Sequence, residues 1–162
     1  MLQNKYIRLA IVAGLIVLTD QITKAFILKH LPLHKSIPVI AGIFDITHVL
    51  NPGGAFGLMA NMSVVVRTVV FLFISSLAVG LILYFYIKTP PGHAFLAAGF
   101  ALIFGGAIGN LIDRVRFGMV VDFLDFYIGN YHWPAFNIAD SAITVGLFIF
   151  LYHLLFKKLP EE

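Results

Sequence analysis

Residues 64–112 read VVVRTVVFLFISSLAVGLILYFYIKTPPGHAFLAAGFALIFGGAIGNLI. Two apolar runs, 64–87 and 93–112, flank the break KTPPG at 88–92. A helix needs about 20 mostly apolar residues to cross the hydrocarbon core of a bilayer, and each run supplies them. Pro90 and Pro91 lack a backbone N–H and stop a helix, so the stretch reads as two spans joined by a tight turn. Outward from this pair lie two more candidates, 9–28 and 134–156, which carry Asp20, Lys24 and Asp140 near one end. The expected fold is an all-α membrane protein: four transmembrane helices in one polytopic domain over residues 1–162.

Composition agrees. Charged residues make up 12% of the chain, against about 25% in a soluble domain. Apolar residues reach 60% and the mean hydropathy is +0.95. The net charge of +3 comes from basic residues that are scattered and flank apolar runs, a pattern that excludes a nucleic-acid partner. With no cysteine, disulfides, thiol nucleophiles and thiolate metal sites are excluded. Lys5 and Arg8 precede an apolar run as in a cleavable signal peptide, but that run continues past Asp20 and Lys24 to Leu28 without a small-residue cleavage pattern. It therefore reads as a retained first span.

The long connections differ in character. Residues 29–63 contain IFDITHVL at 43–50, β-branched and partly alternating, which predicts a short strand or hairpin. Residues 113–133 hold Phe117, Phe123, Phe126, Tyr127, Tyr131 and Trp133, rings that favour the membrane–water interface. Orientation follows less directly. Lys5, Arg8, Lys88, Lys157 and Lys158 lie on one face, and Lys24, Lys29, Lys35, Arg67, Arg114 and Arg116 on the other, so the count does not decide. The first span usually dominates. Lys5 and Arg8 then place both termini in the cytoplasm, with the strand element and the second loop extracytoplasmic.

Alternating spans bring the polar residues to one face. The end of the first span (Asp20, Lys24), the approach to the second (Asn51), the end of the third (Asn110, Asp113, Arg114) and the start of the fourth (Asn137, Asp140) all fall there, as does Asp122. Asp20 and Lys24 stand at i, i+4 and can touch. Gly106, Asn110 and Arg114 form one helical row, and Asn137, Asp140 and Thr144 another. Gly105-x-x-x-Gly109 offers a bare strip for close helix packing. An ionisable group inside a span costs about 2.5–3.5 kcal/mol on insertion scales, so each one is a functional hypothesis.

Plainer readings stand beside these. Asp20–Lys24 reads as a structural ion pair, the glycine strip as packing, and Asp45 and Asp125 as ordinary loop acids. His48 and His132 lack metal-ligand spacing. Asp122 and Asp140 also suit helix capping or pairing with Arg114 and Arg116. Among chemistries, no serine has a nucleophile-elbow setting, although Ser63, Ser141 and Lys24 lie near the right face. Two neighbouring carboxylates cannot both ionise comfortably, so one keeps a proton and the pair offers an acid and a base together. That suits attack of water on an amide. A small ion- or proton-coupled transporter is the competing class, because intramembrane Asp and Lys also mark ion pathways; a non-catalytic scaffold is a third.

Several motifs resemble lipoprotein signal peptidase, the signal peptidase II family of bacterial membrane aspartyl proteases. They are Thr19-Asp20-Gln21-Ile22-Thr23-Lys24, Asn51-Pro52-Gly53-Gly54-Ala55-Phe56-Gly57, Gly105-Gly106-Ala107-Ile108-Gly109-Asn110-Leu111-Ile112-Asp113-Arg114 with Gly118-Met119-Val120-Val121-Asp122-Phe123, and Phe136-Asn137-Ile138-Ala139-Asp140. They fall in order and cover nearly the whole chain. Pro52 and Gly54 stand where the family varies or often has Ala. The resemblance implies Asp122 and Asp140 as the catalytic dyad. It implies Asn51, Asn110, Arg114 and Asn137 as residues that position substrate and dyad, and Asp20 and Lys24 as a supporting polar pair. Gly53 and Gly106 would permit close approach of substrate or backbone. It further implies prolipoprotein substrates carrying diacylglycerol on the cysteine that follows the cut, a monomer in the bacterial cytoplasmic membrane among its lipids, no metal or cofactor, and sensitivity to the cyclic peptide globomycin.

Overall fold

The computed structural model describes residues 2–53 and 63–157, with only the backbone for residues 2–4. Gly54–Gly57 of the second motif, and Lys158, lie outside the described residues. The elements run α1 (Leu2–His30), β1 (Ser36–Ile40), β2 (Phe44–Asn51), α2 (Val64–Lys88), α3 (Ala94–Phe117), β3 (Val120–Ile128), β4 (Tyr131–His132) and α4 (Ile138–Phe156). All four described helices, taken as Lys5–His30, Val64–Lys88, Ala94–Phe117 and Ile138–Phe156, are long and apolar enough to cross a membrane.

The helix ends follow local chemistry. Ser63 caps α2, its hydroxyl accepting the N–H of Val66 at 3.3 Å. Thr89 ends it, just before Pro90. α3 runs on to Phe117 and stops at Gly118, which takes the left-handed conformation (φ 71°) and donates its N–H to the Arg114 carbonyl, a glycine C-terminal signal. Asp113 and Arg114 are therefore helical, not the start of a loop.

The all-α expectation needs correction. The chain also builds a four-stranded antiparallel sheet in the order β1-β2-β3-β4. The segment 113–133, expected as an aromatic loop, holds the longest strand, VVDFLDFYI. Its aromatic and β-branched residues are strand formers as well as interfacial ones, and pairing with β2 settles the choice. The register sets Val49 opposite Asp122 and Asn51 opposite Val120. Ile46, Leu50, Val121 and Phe123 pack on Ile27 and Leu31 at the end of α1, joining sheet to bundle.

α4 begins four residues later than its apolar run. The N–H and C=O of Phe136 are bonded to Leu124, and the carbonyl also accepts from Phe123. A residue spent on the sheet cannot open a helix, so α4 starts after Asn137.

α3 is the central helix, packed against α1, α2 and α4. Its small residues allow that. A Cβ at Gly106 would strike the Ala139 carbonyl oxygen. One at Gly105 would lie 2.9 Å from the Ala13 backbone, and one at Gly146 of α4 would lie 2.5 Å from the Gly99 carbonyl and 2.6 Å from Ile103. At the other end Leu9, Ala13, Tyr86, Leu96, Ala97, Phe100 and Ala101 form an apolar cluster. There the Tyr86 hydroxyl donates to the Lys5 carbonyl at 2.7 Å, and Lys5 Nζ donates to the Ile87 and Thr89 carbonyls at 2.8 and 2.6 Å.

Gly146→Ala should force α3 and α4 apart and cost about 1–3 kcal/mol, the usual penalty of overpacking. Gly14→Ala, with nothing within 4 Å of the new Cβ, should cost no stability. Thermal unfolding of both variants in the same detergent checks the contrast.

Candidate active site

The polar residues converge where α1, α3, β3 and α4 meet. Lys24 is the hub. It is 2% exposed, and its ammonium bonds Asp20 Oδ2 at 2.9 Å, Asp113 Oδ2 at 2.9 Å and Asn110 Oδ1 at 3.0 Å. An ammonium has three protons to donate, and all are used. Asp20 and Asp113 are equally buried. Asp20 Oδ1 accepts the Ala139 N–H at 3.0 Å, and Asp113 Oδ2 the Val121 N–H at 3.1 Å. Gln21 Nε2 bridges Asp20, Asp113 and the Gly109 carbonyl. Gly109 must lack a side chain, because a Cβ would lie 2.7 Å from Asp20 Oδ2. One cation thus ties the starts of β3 and α4 to α1 and α3.

Asparagines carry this anchor to Asp122 and Asp140. Asn110 Oδ1 faces Lys24, and its Nδ2 donates to Asp140 Oδ1 at 2.7 Å. Asn137, fully buried, donates from Nδ2 to Asp122 Oδ1 at 2.7 Å and to Asn110 Oδ1 and the Val121 carbonyl at 3.2 Å. Its own Oδ1 accepts the Asp140 N–H at 2.9 Å, while Asp140 Oδ2 accepts the Asn137 N–H at 3.3 Å. This reciprocal capping box fixes Asp140 in the first turn of α4. Asn51, across the β2–β3 pair, donates to Asp122 Oδ2 at 3.0 Å and receives the Gly53 N–H on its Oδ1 at 2.9 Å.

Asp122 is 2% exposed. Burial pushes its carboxyl up to about 7, the negative charge of Asp140 adds to the rise, and the hydrogen bonds from Asn51 and Asn137 together with the charge of Lys24 oppose it. Burial and a like charge disfavour the ionised form, so near neutral pH Asp122 is poised between acid and base.

Asp20, Lys24, Asn51, Asn110, Asp122, Asn137 and Asp140 form one hydrogen-bonded network. Gly106 serves a backbone approach, toward Ala139. Gly53, at φ +89°, leaves room for the Phe71 ring, which a Cβ would meet at 2.6 Å. Arg114 stands beside this network without joining it: among the described residues it bonds neither carboxylate. Its guanidinium sits 5.6 Å from the centre of the Phe71 ring, within Coulombic reach of Asp140, Asp122 and Asp113. Asp113 and Gln21 were missed as site residues. Their signal was present, since Asp113 follows Asn110 by three on one helix face and Gln21 lies between Asp20 and Lys24. Asp45 and Asp125 are strand residues opposite one another, bonded to the Tyr127 hydroxyl and to His132.

Four spans that gather two carboxylates and three asparagines at one end define a multi-pass membrane protein with a built carboxylate centre. A family model described as signal peptidase (SPase) II matches residues 12–156. The chain is similar to the lipoprotein signal peptidase of Desulforapulum autotrophicum, 58% identical over 155 residues and 96% of each chain. It is similar to that of Nitratidesulfovibrio vulgaris, 41% identical over all of this chain and 98% of that one. Among solved structures it resembles a bacterial membrane enzyme determined by the in meso method at 2.3 Å, with a TM-score of 0.81, 35% identity, and coverage of 95% of this chain and 93% of that one. This chain belongs to the signal peptidase II family and is a membrane protease.

Lys24→Met should strand two buried carboxylates without their cation and cost about 3–5 kcal/mol. Thermal unfolding of the purified variant against wild type measures the loss.

Proposed function

We propose that the protein is an aspartic endopeptidase that removes the signal peptide from diacylglyceryl-modified prolipoproteins, cutting just before the lipid-bearing cysteine, with Asp122 and Asp140 as its dyad. The observation that carries this reading is the shared asparagine network. Asn137 touches both carboxylates, and a fixed donor serves each of them from α3 or β2. The curated relatives bear the name lipoprotein signal peptidase, and that name supplies the substrate class.

The chemistry balances without a covalent intermediate. Ionised Asp140 takes a proton from water, whose oxygen bonds to the carbonyl carbon before the cysteine. Protonated Asp122 gives its proton to the carbonyl oxygen, forming a neutral gem-diol. The C–N bond then breaks. One diol hydroxyl returns its proton to the now ionised Asp122, the leaving nitrogen takes the proton held by Asp140, and the diol becomes the carboxyl end of the signal peptide. The pair returns to its starting protonation. Asp140 accepts hydrogen bonds from Asn110 and from its own capping box, which suits the base. The elevated affinity of Asp122 for its proton suits the acid. Asn110, Asn51 and Asn137 hold the pair, and Arg114 adds positive charge near it.

The reaction is assigned to the extracytoplasmic face of the bacterial cytoplasmic membrane, with both termini cytoplasmic; Lys5 and Arg8 before the first span support this side. The dyad and its supports lie within one chain, and the protein is assigned as a monomer. A lipid-anchored substrate reaches such a site laterally, its acyl chains staying in the bilayer. The transporter reading gains nothing specific: Asp20, Lys24, Asn110, Asp113 and Asn137 collect at one end, where an ion pathway needs them to cross.

Purified protein in detergent, given a diacylglyceryl-modified prolipoprotein, should release the signal peptide, read as a gel shift. Asp122→Asn and Asp140→Asn should each lower the rate by about 10²–10⁴-fold or more while melting normally. Because the productive state needs a proton on Asp122, activity should decline as pH rises through about 7. Undiminished cleavage by either Asn variant excludes the dyad.

A further inference from the structure

A cavity lies at the end of the bundle remote from Asp122 and Asp140. It has a volume of about 880 Å³, opens between the start of α3 and the end of α4, and is lined in part by His93, Phe95, Phe148, Tyr152, His153 and Lys157. His153 follows Asp140 by thirteen residues on one helix, roughly 20 Å along its axis at the helical rise.

Three features at this end fit an anion. The N-cap of α3, His93, makes no side-chain capping bond, so among the described residues the first-turn N–H groups of the central helix lack a side-chain acceptor at the positive end of its dipole. His153 is only 6% exposed, and its Nδ1 has no partner among the described residues; a buried polar atom of that kind is costly and rare. Its ring centre lies 6.1 Å from that of His93. Lys157 supplies a formal cation at the rim, and among the described residues none of those lining the cavity is acidic.

The rest of the cavity is apolar and lies within the membrane spans. Phe148 is 68% exposed and Phe95 55%, and Val145 and Ile149 continue the wall along α4. A free anion has no use for that wall, and an uncharged lipid none for the cationic end. An amphiphile with a negative head uses both. We propose that this groove binds an anionic phospholipid, its phosphate at the N-terminus of α3 beside His93, His153 and Lys157, and an acyl chain along Phe148 and Val145.

The test uses delipidated full-length protein in detergent, with lipid adducts counted by native mass spectrometry and a thermal-shift arm for inorganic phosphate. Phosphatidylglycerol should bind in preference to phosphatidylcholine. Lys157→Gln should weaken phosphatidylglycerol binding roughly fivefold, the effect of one basic residue at an anionic lipid surface. Phe148→Ser should weaken it separately. Both variants should keep prolipoprotein cleavage, or wild-type melting should that reaction be absent, which shows that they are folded. Equal binding of the two lipids, adducts insensitive to both substitutions, or stabilisation by inorganic phosphate matching that by the lipid would overturn the proposal.

Discussion

Lys24 is the interaction on which the rest depends. A lone ammonium within a span is expensive, and two buried carboxylates beside each other are no better. Together, with every proton of the ammonium bonded, they become an anchor. Breaking such a cluster costs more than forming it gains, since the survivors are left charged and dry. The cluster therefore acts as a constraint on geometry more than as a source of net stability. It sets where β3 leaves α3, through Asp113 and the Val121 N–H, and where α4 begins, through Asp20 and the Ala139 N–H.

Those two points carry Asp122 and Asp140. One sits two residues into β3 and the other in the first turn of α4, so fixing both element starts fixes both carboxyls. Asn110 and Asn137 link charge cluster and carboxylates without adding charge. Amide side chains suit this because each both donates and accepts. Asn137 uses its oxygen as a helix cap and its nitrogen on Asp122, so one residue serves fold and site. The glycines of α3 belong to the same device. Without close approach at Gly106 and Gly109, neither Ala139 nor Asp20 would reach its place.

Much of this is legible in the sequence because a bilayer imposes a simple rule. Each span needs an apolar run of sufficient length, and each of the four runs finds its helix, with α1 beginning seven residues ahead of its run and the facing ends of α3 and α4 moved by particular bonds. Phe136 delays α4 by pairing with β3, and Gly118 ends α3 one turn late. Alternation of spans also brought Asp20, Lys24, Asn110, Asn137 and Asp140 to one face. The sheet was less legible. Val120–Ile128 has a composition that serves an interfacial loop as well as a strand, and its choice depends on a partner some seventy residues earlier. The ring beneath Arg114 was hidden for a related reason. Helical spacing puts it in line with Asn110, but spacing alone did not show that Phe71 of α2 lies under its guanidinium.

The central claim is that burial and the neighbouring charge of Asp140 hold Asp122 partly protonated near neutrality, against the pull of its hydrogen bonds. Site-resolved carbon NMR of labelled aspartate carboxyls, in wild type and in Asn137→Ala, tests it most directly. Asp122 should titrate near 7 in wild type. It should titrate higher in the variant, because the lost hydrogen bond favoured the ionised form. Titration of Asp122 near the ordinary aspartate value of about 4, unchanged by the substitution, would contradict the account.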